Sequence, residues 1–249
     1  MHKTDILGFS FDTYTRVEAL EKLLSFLNEE KNHILITPNP EIVLEARRNK
    51  KLGAILKKTD LLVPDGIGVV WASKFNRIKI KERVAGYDLL QSLFAEIKDD
   101  NRKVYFLGGA PNVARDAKIN MEKKYEGLEI VGFHNGYFDD EEELKIIEEI
   151  KNLKPDILVL GLGCPKQEIF AYKYKYTIPT KLICCLGGSL DVMAGKAKRA
   201  PDIFIKLNLE WFYRLLKQPS RFFRMLNLPL FMLIVLKEKI FGGLNCGRN

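Results

Sequence analysis

Leu61-Leu62-Val63-Pro64-Asp65-Gly66-Ile67-Gly68 is the stretch whose reading decides the fold. Three apolar residues make a short buried strand. Pro64 ends its pairing, because proline has no N–H and a fixed φ. Gly66 and Gly68 loosen the backbone where an apolar, helix-like run begins at Val69, Val70, Trp71 and Ala72. An aspartate in a glycine-bearing turn after a strand sits where open α/β sheets place their active sites. It is equally a place for a helix cap, and on spacing alone both roles stay open.

Working outward, the same grammar repeats. His33 to Ile36 reads as a strand that ends in Thr37-Pro38-Asn39-Pro40. Val104 to Leu107 ends in Gly108-Gly109-Ala110-Pro111, and Ile157 to Leu160 ends in Gly161, Gly163, Pro165 and Gln167. Leu182 to Leu186 ends in Gly187-Gly188-Ser189. Asp5 to Phe9 and Glu129 to Phe133 read as further strands. Helical spacing marks 15–30, 41–48, 87–97, the run to about Tyr125, and the acidic-fronted 139–152. This alternation predicts an α/β fold: a mostly parallel, Rossmann-like sheet with helices on both faces. Turns of this kind line up along the carboxyl edge. There, glycine lets backbone N–H groups approach a phosphate. A nucleotide-type ligand is therefore expected. Neither G-x-x-x-x-G-K-[ST] nor G-x-G-x-x-G occurs, which disfavours a P-loop NTPase and a standard dinucleotide binder.

Charge divides the chain. Residues 1–195 hold 29 bases and 29 acids; residues 196–249 hold 11 bases against 3 acids. The whole net charge of +8 thus lies in the last fifth of the 249 residues. The expected organisation is a core, 1–195, and a basic helical appendage, 196–249. In the appendage, Phe204, Leu207, Trp211 and Leu215 recur at helical spacing over Asp202 to Lys217, and Met225 to Leu236 is almost wholly apolar. Three readings apply: a segment lying in the interface of an anionic membrane, a helical pair completing the core, or a nucleic-acid-binding arm. The apolar run is too greasy for a solvated arm, which favours the membrane surface and argues against nucleic acid. Its apolar surface needs cover in solution, so a homo-oligomer off the membrane is expected. No run reaches the roughly 20 apolar residues that span a bilayer. Met1 to Ser10 lacks a signal-peptide core. Cys164, Cys184, Cys185 and Cys246 form no C-x-x-C pair. A cytoplasmic protein, peripheral on the inner face of the cell membrane, is the expectation.

Several motifs occur together: Pro64-Asp65-Gly66-x-Gly68, Arg83-x-x-Gly86-x-Asp88, Gly161-x-Gly163-x-Pro165-x-Gln167-Glu168 and Gly187-Gly188. Arg199-Ala200-Pro201, Leu209-Glu210-Trp211-x-x-Arg214-Leu215 and Pro219-x-Arg221 follow in order. Over nearly its whole length the chain resembles the TagA/WecG/CpsF family of glycosyltransferases, and most the TagA type. The resemblance implies transfer of N-acetylmannosamine from its UDP-sugar to N-acetylglucosaminyl-diphospho-undecaprenol, a step that begins the wall teichoic acid linkage unit. It also implies that Arg214, Arg221 and Arg224 belong to an appendage that docks on the membrane and closes over the site, where arginine suits a lipid diphosphate.

The residues agree in kind. Inverting transfer needs a base for the acceptor hydroxyl, and charge or N–H dipoles for departing UDP. Asp65 is the candidate base. Thr37 would orient sugar or acceptor, with Asn39 placed similarly, and Arg83 would hold a diphosphate. Gly109 and Gly163 belong to the phosphate-approaching turns. Gln167 would read a uracil or sugar amide with its two-faced side chain. Asp191 would accept from ribose or base, or cap a helix. Asp99-Asp100 and Asp139-Asp140 suit solvated helix ends better than a metal site, so no metal or other cofactor is expected.

Overall fold

The computed structural model describes residues 3–207, 209–217 and 226–242. The chain opens with β1 (Lys3–Ile6) and β2 (Phe9–Asp12), an antiparallel hairpin forming its own small sheet. The sequence predicts a single strand over Asp5 to Phe9. The chain turns instead at Leu7 and Gly8, whose φ angles of 55° and 87° are both positive, as a two-residue hairpin loop requires. Helix α1 (Arg16–Leu27) starts in a capping box. The Thr15 hydroxyl accepts from Glu18 N–H, and the Glu18 carboxylate accepts from Thr15 N–H. Such a cap contributes about 1 kcal/mol.

The chain continues through β3 (His33–Ile36), α2 (Pro40–Arg48), α3 (Lys50–Lys58), β4 (Leu61–Leu62), α4 (Ile67–Ser73) and α5 (Gly86–Ile97). Then come β5 (Lys103–Gly108), α6 (Val113–Lys124), β6 (Glu129–His134) and α7 (Asp140–Leu153). Last in the core are β7 (Ile157–Gly161), α8 (Lys166–Tyr174), β8 (Leu182–Cys185) and α9 (Ser189–Met193). Strands β3 to β8 form one sheet in the order β4-β3-β8-β7-β5-β6, with every neighbouring pair parallel. The α/β expectation is met, and the reason lies in the strands. Ile34, Ile36, Leu158, Leu160 and Ile183 pack under α2, α3, α7 and α8. Leu35, Ile157, Val159, Leu182 and Phe106 pack under α1, α5, α6 and α9. A parallel strand buried on both faces has no polar side, hence the unbroken apolar runs.

Among the described residues three helices follow: α10 (Asp202–Lys206), α11 (Glu210–Lys217) and α12 (Asn227–Gly242). The expected single helix over Asp202 to Lys217 is two. Leu209 N–H reaches back to Phe204 O at 2.7 Å, five residues away, which closes α10 instead of extending its four-residue ladder. Helix α12 packs on α2 and α4. Its Phe231 and Val235 are buried in the core, and Glu238 meets Arg47 of α2 at 2.6 Å. Burying each of those two side chains contributes about 1.5–3 kcal/mol.

Candidate active site

The carboxyl ends of β5, β6, β7 and β8 surround a cleft of about 650 Å³. Its floor is peptide backbone. At Gly108 a Cβ would lie 2.4 Å from the carbonyl carbon of Gly161, and φ is +145°, so only glycine fits. Gly109 N–H donates to Gly161 O at 3.1 Å, and Gly136 N–H donates to Gly109 O at 2.8 Å. The loops after β5, β6 and β7 are thereby laced together.

Side chains enter only at the rim. Lys166, the first residue of α8, donates from Nζ to Gly136 O at 3.0 Å and lies 4.2 Å from the centre of the Phe138 ring. Tyr137 stands beside it, 73% exposed. Asp191 lines the opposite wall, together with Gly163, Gly187 and Gly188. The cap of α9 is Gly188, so Asp191 is not its N-cap. Chemically, the cleft offers peptide dipoles, one ammonium, one carboxylate and one exposed phenol ring.

Of the expected ligand-binding residues, Gly109, Gly163 and Asp191 line this cleft. Gln167 does not. Against the expectation of a ligand-reading amide, it is 2% exposed and both polar ends of its side chain meet protein. Its Oε1 accepts from Gly187 N–H at 3.0 Å, and its Nε2 donates to Glu168 Oε1 at 2.8 Å. It ties the turn after β7 to the turn after β8. Glu168 is fully buried, and burial holds its carboxyl above the usual carboxylate range despite the Gln167 bond. Sequence reasoning missed Lys166 and Tyr137. A signal for Lys166 was present: a cation at a helix's first residue opposes the helix dipole.

A second cluster lies at the ends of β3 and β4. The two strands run on side by side: Val63 N–H donates to Ile36 O and Asp65 N–H to Pro38 O, at 3.2 and 3.1 Å. The segment before α5 joins them through Val84 N–H to Pro64 O at 2.9 Å. Thr37, Asn39, Asp65 and Arg83 are therefore carried on three adjacent stretches of backbone. Asp65 is half-buried, and the N-cap position of α4 is Gly66, one residue further on. Asn39 caps α2, with Oδ1 accepting from Ile42 N–H at 3.0 Å. Its acceptor oxygen is thus committed to the helix. A Cβ on Gly86 would lie 2.8 Å from Thr37 Oγ1 and 2.6 Å from Leu186 Cδ2. Thr37 and Leu186 thus both pack on Gly86, and Leu186 is the residue before the cleft's Gly187.

Arg83 is paired. Its Nη1 and Nη2 donate to Glu210 Oε2 of α11 at 3.3 and 3.2 Å. Nearby, Arg199 grips Asp88 with two bonds of 2.6 and 2.5 Å and lies over the Tyr87 ring. Arg214 is on α11, one turn beyond Glu210; Arg221 and Arg224 lie outside the described residues. Asp139 caps α7, and Asp99 and Asp100 follow α5 at the far edge of the sheet. Among the described residues, no three His, Cys, Asp or Glu side chains group as metal ligands.

A protein of Bacillus spizizenii is 39% identical over 215 residues, covering 86% of this chain and 83% of the relative. One of Bacillus subtilis is 34% identical, covering 90% of this chain and 86% of the relative. One of Staphylococcus aureus is 34% identical, covering 95% and 93%. All three are named N-acetylglucosaminyldiphosphoundecaprenol N-acetyl-beta-D-mannosaminyltransferase. The model of the glycosyl transferase WecG/TagA/CpsF family matches residues 4–244, nearly the whole chain, and the protein belongs to that family.

Proposed function

We propose that the protein transfers N-acetylmannosamine from UDP-N-acetylmannosamine to N-acetylglucosaminyl-diphospho-undecaprenol, with inversion at the sugar's C1, as an early step of wall teichoic acid linkage-unit synthesis. One observation carries the reading: Leu186, which leads into the glycine-lined cleft at Gly187, packs on Gly86 together with Thr37 of the carboxylate corner, in a chain whose relatives are named for N-acetylmannosamine transfer to that acceptor. UDP lies in the cleft. Peptide N–H groups and Lys166 face its diphosphate, Tyr137 offers a ring face to uracil, and Asp191 accepts from ribose or base. The sugar then points past Leu186 toward Thr37 and Asp65.

Asp65 takes the proton from the acceptor hydroxyl as its oxygen bonds to C1 and the C1–O bond to UDP breaks. The leaving diphosphate gains charge, which fixed N–H dipoles and cations stabilise in a partly dry site. Residues 1–195 act as the catalytic core and 196–249 as the appendage. No helix among the described residues is long and apolar enough to cross a membrane. Helix α12 turns Phe231 and Val235 inward while Leu233 and Ile240 are more than 60% exposed. That outer face, flanked by Lys237 and Lys239, lies in the cytoplasmic leaflet, where anionic lipid attracts the tail. Co-sedimentation with anionic vesicles tests this; protein left in the supernatant overturns it.

The function test offers UDP-N-acetylmannosamine, its uronic acid counterpart and UDP-glucose, each with a short-chain prenyl-diphospho-N-acetylglucosamine. Only the first is consumed. Asp65→Asn lowers transfer by about 100-fold or more while UDP affinity stays within about threefold. Consumption of another donor overturns the sugar assignment; undiminished turnover removes Asp65 from the chemistry.

A further inference from the structure

The appendage was expected to bring positive charge to the site. At the described contact it brings a carboxylate. Residues 196–249 contain three acids, Asp202, Glu210 and Glu238, among 11 bases. Two of these acids meet arginines of the core: Glu238 with Arg47, and Glu210 with Arg83. The two pairs differ in kind. The Glu238 side chain is 46% exposed, and such an ion pair contributes little. The Glu210 and Arg83 side chains are each 12% exposed, so both charges are largely desolvated. Desolvating an acid is costly, and a simple anchor for a tail does not need it.

The place of the pair and its geometry both matter. Val84 N–H bonds Pro64 O, so the backbone beside Arg83 runs along the backbone beside Asp65. Both bonds from the guanidinium go to a single oxygen, Glu210 Oε2. Glu210 therefore fixes the Nη1/Nη2 end of the fork and leaves the Nε–H edge for a second anion. The Arg83–Glu210 and Arg199–Asp88 pairs also straddle Gly86, the residue packed against Thr37. The segment entering α11 thus clamps both sides of the stretch that positions the corner.

We propose that Glu210 is a positioning residue for transfer: it holds Arg83 by one end so that the other edge of the guanidinium meets a substrate phosphate oxygen. The proposal rests on the transferase reading above. Charge at this corner is consequently set by a pair from two parts of the chain, not by arginines alone.

The test uses the full-length protein and the donor–acceptor assay above, with Glu210→Ala, Glu210→Gln and, as a second break of the same seam, Glu238→Gln. Glu210→Ala lowers kcat about 10- to 100-fold, while KM for the donor moves less than about threefold, as expected when a group is misplaced rather than lost. Glu210→Gln keeps an oxygen acceptor and stays within about tenfold of wild type. Glu238→Gln leaves kcat unchanged. Thermal unfolding of each variant separates a misplaced Arg83 from a loosened fold. Equal losses in the Glu210 and Glu238 variants make Glu210 a mere tether and overturn the proposal. So does an active wild type matched by Glu210→Ala. A wild type that transfers no sugar overturns both readings together.

Discussion

The two edges of the six-stranded sheet are closed by opposite means. At the amino edge, charged side chains pin strand starts to one another. Asp60 accepts from Ile34 N–H at 2.9 Å and from Lys175 Nζ at 2.6 Å. Asp156 accepts from Lys103 N–H and from Arg102, which also reaches Leu27 O. Buried His33 stacks on Phe26 and meets Glu29. At the carboxyl edge, strand ends are laced by backbone bonds among glycines, and the few charges stand at the rim. The first edge is held by charge; the second is held by peptide groups and lines the cleft. One sheet thus separates what holds the fold from what the fold offers.

That division can be broken most sharply at Gly108. Gly108→Ala places a Cβ on the Gly161 backbone at a left-handed φ. The expected cost is about 3 kcal/mol by chemical denaturation, together with loss of UDP binding. This change hits both properties, because Gly108 packs on Gly161 and precedes Gly109, both of which line the cleft. Asp60→Asn comes next. It leaves Lys175, which is 8% exposed, without its anionic partner. Stability falls by about 2 kcal/mol while kcat/KM for transfer is unchanged. A matching fall in kcat/KM would show that the edges are coupled. Lys166→Ala is the mirror image: UDP affinity drops about tenfold by calorimetry, and the unfolding midpoint does not move.

The smallest effect lies between the edges, on the helical layer. Burial alone would raise the Glu143 carboxyl, but bonds from Lys173 and Tyr174 outweigh it and hold the group below its ordinary 4.5. A depressed carboxylate stabilises the fold fully above its unfolded value, and that contribution is lost as pH falls through the folded value. Glu143→Gln therefore flattens the decline in stability from about pH 5 to pH 3, by about 0.5 kcal/mol, leaving neutral-pH activity unchanged.

Most of the sheet was legible because parallel strands buried on both faces cannot hide: His33 to Ile36, Val104 to Leu107 and Ile157 to Leu160 have no polar side. The glycine turns announced the carboxyl edge for the same local reason. Helices α3 and α8 were not read. In α3 the apolar Leu52, Ile55 and Leu56 sit among lysines around Gly53, and Asn49 both ends α2 and caps α3. In α8, Gln167 and Glu168 are buried polar residues, which blur the apolar stripe that marks a helix. The chemistry divided likewise. Asp65 and Thr37 stand out on turns. The burial of Gln167 was not legible, because an exposed amide and one bonded at both ends look alike in a string of letters. Glu210 was invisible as a partner of Arg83, since 127 residues separate them and only the folded tail brings them together.

The peptide floor of the cleft has a further consequence. Main-chain groups are the same in every residue, so a surface made from them measures charge and shape but not chemical identity. On the proposed reading, discrimination among nucleotides therefore falls to side chains at the rim, Tyr137, Lys166 and Asp191. The floor is closed to change, because a methyl group at Gly108 collides with the neighbouring strand end. The rim carries no such constraint. If the cleft holds a nucleotide as proposed, descendants of this chain are free to change which base or sugar they accept by altering exposed side chains, while a diphosphate is gripped by a fixed backbone.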